Sequence, residues 1–145
     1  MPQVDFYSIS QPDEQDRLFF ACRLTEKAMG QGLKIYIHTD DEQTAQEMDD
    51  LLWSFKPESF IPHAIVGIDD ELTENEDIPV FIGCSTDFAG TGDLLINLGK
   101  NIPGFHERFS RIAEIVPNSE AAKSNLREHW NAYKEKGLEL KHHEL

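Results

Sequence analysis

Two short runs, residues 79–84 (PVFIGC) and 93–98 (DLLINL), are almost unbroken in apolar character, and they constrain the fold more than anything else in the chain. Runs of this length are strands rather than helices, and a strand that is apolar on both faces needs cover on both. Residues 4–8 (VDFYS) and 33–38 (LKIYIH) add two more strand patterns, the first closed by Gln-Pro-Asp turn chemistry. Between them, residues 13–29 place Leu18, Phe19, Cys22, Leu24, Ala28 and Met29 near helical spacing, with Asp13 able to cap and Gly30 and Gly32 ending the run. A second helix starts among Thr39 and the acids after it, carries Ala45, Met48, Leu51, Leu52 and Trp53, and stops before Pro57. Further on, a short helix through 105–109, a last strand at 111–116 (RIAEIV) and a final helix at 119–136, ended by Gly137, complete the reading. Alternating strands and helices with doubly buried strands predict an α/β fold: three layers, Rossmann-like, a mostly parallel sheet with helices on both faces.

The connections are informative in their own right. Residues 55–63 (FKPESFIPH) are bracketed by prolines and unusually apolar for an irregular segment, as contact-making loops often are. Residues 69–77 (DDELTENED) are the densest acidic run and read as a solvated loop, while 85–92 has turn composition. At 145 residues, with 39% hydrophobic and 10% aromatic residues, the chain fits a single domain over 1–145, without internal repeats.

Charge then excludes some functions. With 27 acidic and 13 basic side chains the formal charge is −14, the wrong sign for a protein whose affinity rests on neutralising phosphates, so little direct DNA binding is expected. Cys22 and Cys84 have no paired spacing and read as small buried hydrophobes. No apolar stretch reaches the roughly 20 residues that span a bilayer, and the N-terminus lacks signal-peptide order. No membrane role and a cytoplasmic location are the expectations.

The usual chemistries of such a sheet are missing. The turn after the first strand, Ser8-Ile9-Ser10-Gln11-Pro12-Asp13, has no phosphate-approaching glycines, and Gly90 and Gly92 precede a strand rather than open a helix. None of the six histidines shows a recurrent zinc spacing, so neither metal nor cofactor is expected. His38, at a strand end beside Asp40 and Asp41, is the one acid/base candidate, and a small cytosolic enzyme or nucleotide-binding regulatory domain built on His38 and Asp40 is the alternative reading. No nucleophile or oxyanion element accompanies it.

Phe6-Tyr7, residues 49–53 (DDLLW), 57–63 (PESFIPH), 93–98 (DLLINL) and 114–117 (EIVP), followed by Arg127, Trp130 and Tyr133, form an ordered set. In that set the chain resembles the chi subunit of bacterial DNA polymerase III. Departures lie in the acidic 69–77 loop and the 137–145 tail. The resemblance implies a non-catalytic accessory subunit of a DNA-directed DNA polymerase complex. It implies two partners: the psi subunit, which ties the family to the clamp loader, and the acidic C-terminal tail of single-stranded-DNA-binding protein, which ends in phenylalanine. It also leaves room for a helicase on the psi-facing surface.

The residues suit that task. A peptide ending in an aromatic ring and a free carboxylate needs a cation and an apolar recess. Lys123 and Arg127 are one helical turn apart, Trp130 follows on the same face, and Val116 ends the preceding strand. The resemblance assigns these four to tail binding; without it, a solvent-facing basic pair over a core tryptophan would be the simpler account. The same resemblance places psi on Trp53 and Phe60, with Pro57, Ile61 and Pro62 around them, whereas periodicity alone leaves Trp53 equally suited to the core.

Overall fold

The computed structural model describes residues 3–55, 61–66, 78–84 and 90–145. Its elements run β1 (Gln3–Ser8), α1 (Glu14–Gly30), β2 (Ile35–His38), α2 (Glu42–Ser54), β3 (His63–Ile65), β4 (Val80–Gly83), β5 (Gly92–Asn97), a 3-10 turn (Gly104–Arg108), β6 (Phe109–Val116), α3 (Glu120–Glu135) and β7 (Glu139–Glu144). Among the described residues, the seven strands form one sheet in the order β3-β4-β2-β5-β6-β1-β7, with every pairing parallel. The expected three-layer α/β architecture is therefore the one found.

Side-chain alternation sorts the core into two halves. Ile35 and Ile37 of β2, Leu94 and Ile96 of β5, and Ala113 and Ile115 of β6 face α1 and α2, where Leu18, Cys22, Met48 and Leu52 meet them. Their neighbours Tyr36, Leu95 and Ile112 face the other way, toward the 3-10 turn and α3, where Phe105, Leu126 and Tyr133 close over them. Both faces of the central strands are thus dry, which is why their sequences look continuously apolar.

Helix ends follow local chemistry. The Asp41 carboxylate accepts from the Thr44 amide at 2.7 Å and opens α2, and the Ser119 hydroxyl does the same for Ala122 at 3.3 Å to open α3. Asp13 sits at the N-cap of α1 but its side chain makes no capping bond, so that expectation is corrected. The C-termini of α1 and α3 both end in a glycine with positive φ, Gly32 at 78° and Gly137 at 76°. In each, the next two amides reach back to the helix: Gly32 to Met29 and Leu33 to Ala28, Gly137 to Lys134 and Leu138 to Tyr133. That is the left-handed C-terminal turn that glycine adopts without steric cost.

Three other readings need correction. Residues 111–116 are not the last strand, because the tail after Gly137 forms β7 and adds to β1 in parallel, from Gln3 opposite Glu139 to Ser8 opposite Glu144. His63, read as the end of an irregular segment, instead starts β3 beside β4. Cys22 is buried, and burial pushes its thiol up to about 12, but Cys84 is half-exposed rather than a core residue. The acidic 69–77 run and residues 85–89 lie outside the described residues.

Gly137→Ala forces a side chain into left-handed backbone at the joint that aims β7, so it should lower stability by about 1–2 kcal/mol. Urea unfolding measures the loss, and amide exchange should show it first in residues 139–144.

Candidate functional site

At the carboxyl ends of β1, β6 and β7 the sheet opens into a groove of about 630 Å³ covered by α3. Ligands of open α/β sheets usually bind at such strand ends. The register sets the walls: Glu114, Phe6 and His142 form one row across β6, β1 and β7, and Val116, Ser8 and Glu144 form the next. Val116, Leu126, Phe6 and Trp130 supply apolar surface, while Lys123 and Arg127 of α3 and Glu144 of β7 bring charge to the lining. Val116 is buried, Lys123 and Trp130 are half-buried, and Arg127 is exposed. Val116, Lys123, Arg127 and Trp130, chosen from the sequence, therefore line one cavity.

Trp130 is held in place from below. Its ring lies 5.1 Å from that of Phe6 at an angle of 60°, and Phe6 also meets Tyr133 edge-on at 6.1 Å. Deeper still, the Glu114 carboxylate, 1% exposed, accepts from Tyr133 Oη at 2.6 Å, Asn97 Nδ2 at 2.9 Å and His129 Nδ1 at 3.1 Å. His129 Nε2 faces the Lys100 carbonyl at 2.6 Å. A carboxylate on one ring nitrogen and a carbonyl on the other both favour the doubly protonated ring, so the site stabilises His129 as an imidazolium. Burial acts first and disfavours that charge, but the hydrogen bond and charge of Glu114, the Lys100 carbonyl and Glu128 outweigh it and raise the His129 pKa. Tyr133 is driven upward by burial and by the same carboxylate, and it stays a hydroxyl donor.

Sequence reasoning did not find the β7 wall. His142 Nε2 and Ser8 Oγ are 2.7 Å apart, and the Leu145 amide donates to the Ser8 carbonyl at 3.0 Å. On the other face of β7, His143 stacks on Tyr7 at 4.9 Å and its Nε2 lies 3.0 Å from buried Asp5, which also accepts from Arg111. Burial alone would raise the Asp5 pKa; the bonds from His143, Arg111 and Gln3 together hold it below its ordinary value. The signal for this strand was weak but present: Leu138 and Leu140 alternate with charged residues immediately after the glycine stop.

The second predicted surface is less complete. Trp53 is 49% exposed and lies over His63, with ring centres 4.3 Å apart. His63 is fixed by the Ile61 carbonyl at 2.6 Å and by Asp49 Oδ1 at 3.1 Å. Trp53 is therefore a surface residue, not a core one. Pro62 is half-buried. Ile61 is fully buried in the core with α1 and α2, so it supports this surface from beneath rather than presenting a side chain on it. Phe60 and Pro57 lie outside the described residues.

His38 and Asp40 do not form an acid/base pair among the described residues. His38 is 4% exposed and packs edge-on against Phe105 at 5.5 Å, and burial is the leading influence that lowers its pKa. Asp40 uses both oxygens to accept the Lys100 amide, at 3.0 and 3.1 Å. Among the described residues, no group of His, Cys, Asp and Glu could hold a metal ion, and no helix is long and apolar enough to cross a membrane.

Residues 1–141 match the family model described as DNA polymerase III chi subunit, HolC. The chain is 41% identical to the DNA polymerase III subunit chi of Pseudomonas aeruginosa over 145 residues, covering all of this chain and 98% of that one. It is 33% identical to the Haemophilus influenzae subunit chi over 121 residues, 83% of this chain and 81% of that one. Against the Escherichia coli subunit chi it is 26% identical over 145 residues, covering 97% of this chain and 96% of that one.

The charged His129 pair makes stability depend on pH. A histidine whose pKa is raised by folding contributes fully below its unfolded value of about 6.5, and the contribution disappears as pH rises through the folded value. Glu114→Gln removes the anion, so it should lower the His129 pKa, followed by NMR titration. It should also cost about 3–5 kcal/mol of stability at pH values below about 6.5, as expected for breaking a buried pair, and less as the pH rises.

Proposed function

The chain belongs to the DNA polymerase III chi subunit family, and we propose on that basis that it is a non-catalytic adaptor bridging two partners of the replication machinery. One is the acidic C-terminal tail of single-stranded-DNA-binding protein, received in the groove beneath α3. The other is the psi subunit, and through it the clamp loader, received on the surface around Trp53. The whole-chain family match and the 41% identity to a subunit chi support membership of the polymerase III complex.

The observation that carries the tail reading is the convergence of Lys123, Arg127, Trp130 and Val116 on one cavity. An arginine can take a terminal carboxylate through two parallel N–H bonds, while the recess between Val116 and Trp130 suits an aromatic ring. Lys123 adds a point charge for the acids upstream. The body at −14 and Glu144 in the lining oppose an acidic ligand, but charges beyond about 8 Å are screened at physiological salt, so the nearby pair governs the contact. Weak general attraction then favours release on demand, as a cytoplasmic bridge to a moving template requires.

For psi, Trp53 is the anchor, with half-buried Pro62 nearby in sequence and buried Ile61 setting the backbone beneath, and Phe60 is the further contact that the resemblance implies. Exposed tryptophan next to proline-bracketed backbone fits a durable apolar interface. A helicase that met the same surface would compete with psi.

Arg127→Ala should weaken binding of the tail peptide by about 1–3 kcal/mol, leave thermal unfolding unchanged, and reduce the salt sensitivity of the remaining binding. Calorimetric titration with the peptide decides the matter, and an unaltered affinity would sink the tail assignment. Trp53→Ala should cost about 2 kcal/mol or more in psi binding while tail affinity stays put, measured by titrating each partner separately.

A further inference from the structure

On the opposite face of the sheet, a second groove of about 680 Å³ runs over α1 between Phe55 at the end of α2 and Leu145 beyond β7. Phe19 is 41% exposed and meets Phe55 edge-on at 6.0 Å, and Phe20 packs on Tyr7 at 5.4 Å. Leu18, Ala21, Cys22, Thr25 and Ala28 already fill the inward stripe of α1. Phe20 and Phe55 pack partly against that core, whereas the exposed ring of Phe19 is additional to what this helix needs to dock on its sheet.

The charge of this groove is the more specific feature. Arg23 and Lys27 are exposed, one helical turn apart, and neither forms an ion pair among the described residues. Glu26 also borders the groove and has an interaction of its own. In a chain of formal charge −14, two uncommitted cations beside three phenylalanines reverse the local sign. The composition repeats that of the first groove: an i, i+4 pair of basic residues over aromatic and aliphatic surface, with β7 or the residue after it as a wall.

We propose that this α1 groove binds an acidic, amphipathic segment of a partner protein, whose carboxylates meet Arg23 and Lys27 and whose apolar side chains cover Phe19, Phe20 and Phe55. Its two cations lie one turn apart along α1 with phenylalanines beside them, so a stretch of chain carrying several carboxylates suits it better than a single terminal one. A nucleic acid would bring far more negative charge than two cations can neutralise against this body.

The test uses the intact protein and a fluorescent probe of alternating Asp and Phe residues, acetylated and amidated at its ends. Lacking a terminal carboxylate, the probe does not report on the tail assignment of the first groove, and either reading can fail alone. Fluorescence anisotropy should show saturable binding that Arg23→Glu with Lys27→Glu weakens by about tenfold or more, and that Phe19→Ser also weakens. Lys123→Ala with Arg127→Ala should leave it within about twofold. All the altered residues are at least partly exposed, and thermal melts of each variant confirm that it folds. Absence of binding, indifference to the Arg23 and Lys27 reversal, or loss in the Lys123 and Arg127 variant would each overturn the proposal. So would sedimentation showing a dimer that the reversal dissociates, which would make a second copy the occupant, or equal competition by anionic vesicles, which would make it a membrane surface.

Discussion

One buried carboxylate organises this molecule. Glu114 lies in β6 between apolar Ala113 and Ile115, and it is stabilised there because Tyr133, Asn97 and His129 all point donors at it. An isolated anion in that position would be expelled or neutralised. Two of its three donors come from α3, so the need to satisfy Glu114 also fixes where the helix lies and how it is rotated. The aromatic and basic residues on the outer side of the helix inherit that placement. A buried ion pair adds little net stability over an apolar core, but it permits only one arrangement of the groups around it.

From this anchor the rest follows outward in layers. Phe6 packs between the network and Trp130, the register of β1 with β6 brings Val116 level with Ser8, and the glycine turn after α3 returns the chain so that β7 lies along β1. The groove sets a local cationic pair, Lys123 and Arg127, on a rigid helix of a strongly anionic body. Screening is what allows those two signs to coexist on one small domain.

Much of this was legible in the sequence. Doubly apolar runs declared the parallel sheet, and helical spacing put Lys123, Arg127 and Trp130 on one face. What stayed hidden has physical causes. Glu114 looks like an ordinary acid in an alternating strand, because nothing local says that its partners come from residues far along the chain. The β7 tail carries so much charge that it reads as solvent-exposed coil, yet an edge strand needs only one apolar row, and Leu138 and Leu140 provide it. Ile61 was grouped with its contact-making neighbours because a proline-rich segment hides its own period; only the coordinates show it turning inward. Phe19 was counted with the inward stripe of α1, since a helix with aromatics on two faces has no single phase to read.

The pairing of β7 with β1 has a consequence for folding. Ser8 and His142 touch although 134 positions separate them in sequence, so the wall of the groove beneath α3 joins segments that lie far apart along the chain. Topologies dominated by such distant pairings close slowly. Docking of β7 on β1 is thus a long-range step of folding, and the groove beneath α3 takes its full shape only once that step is complete.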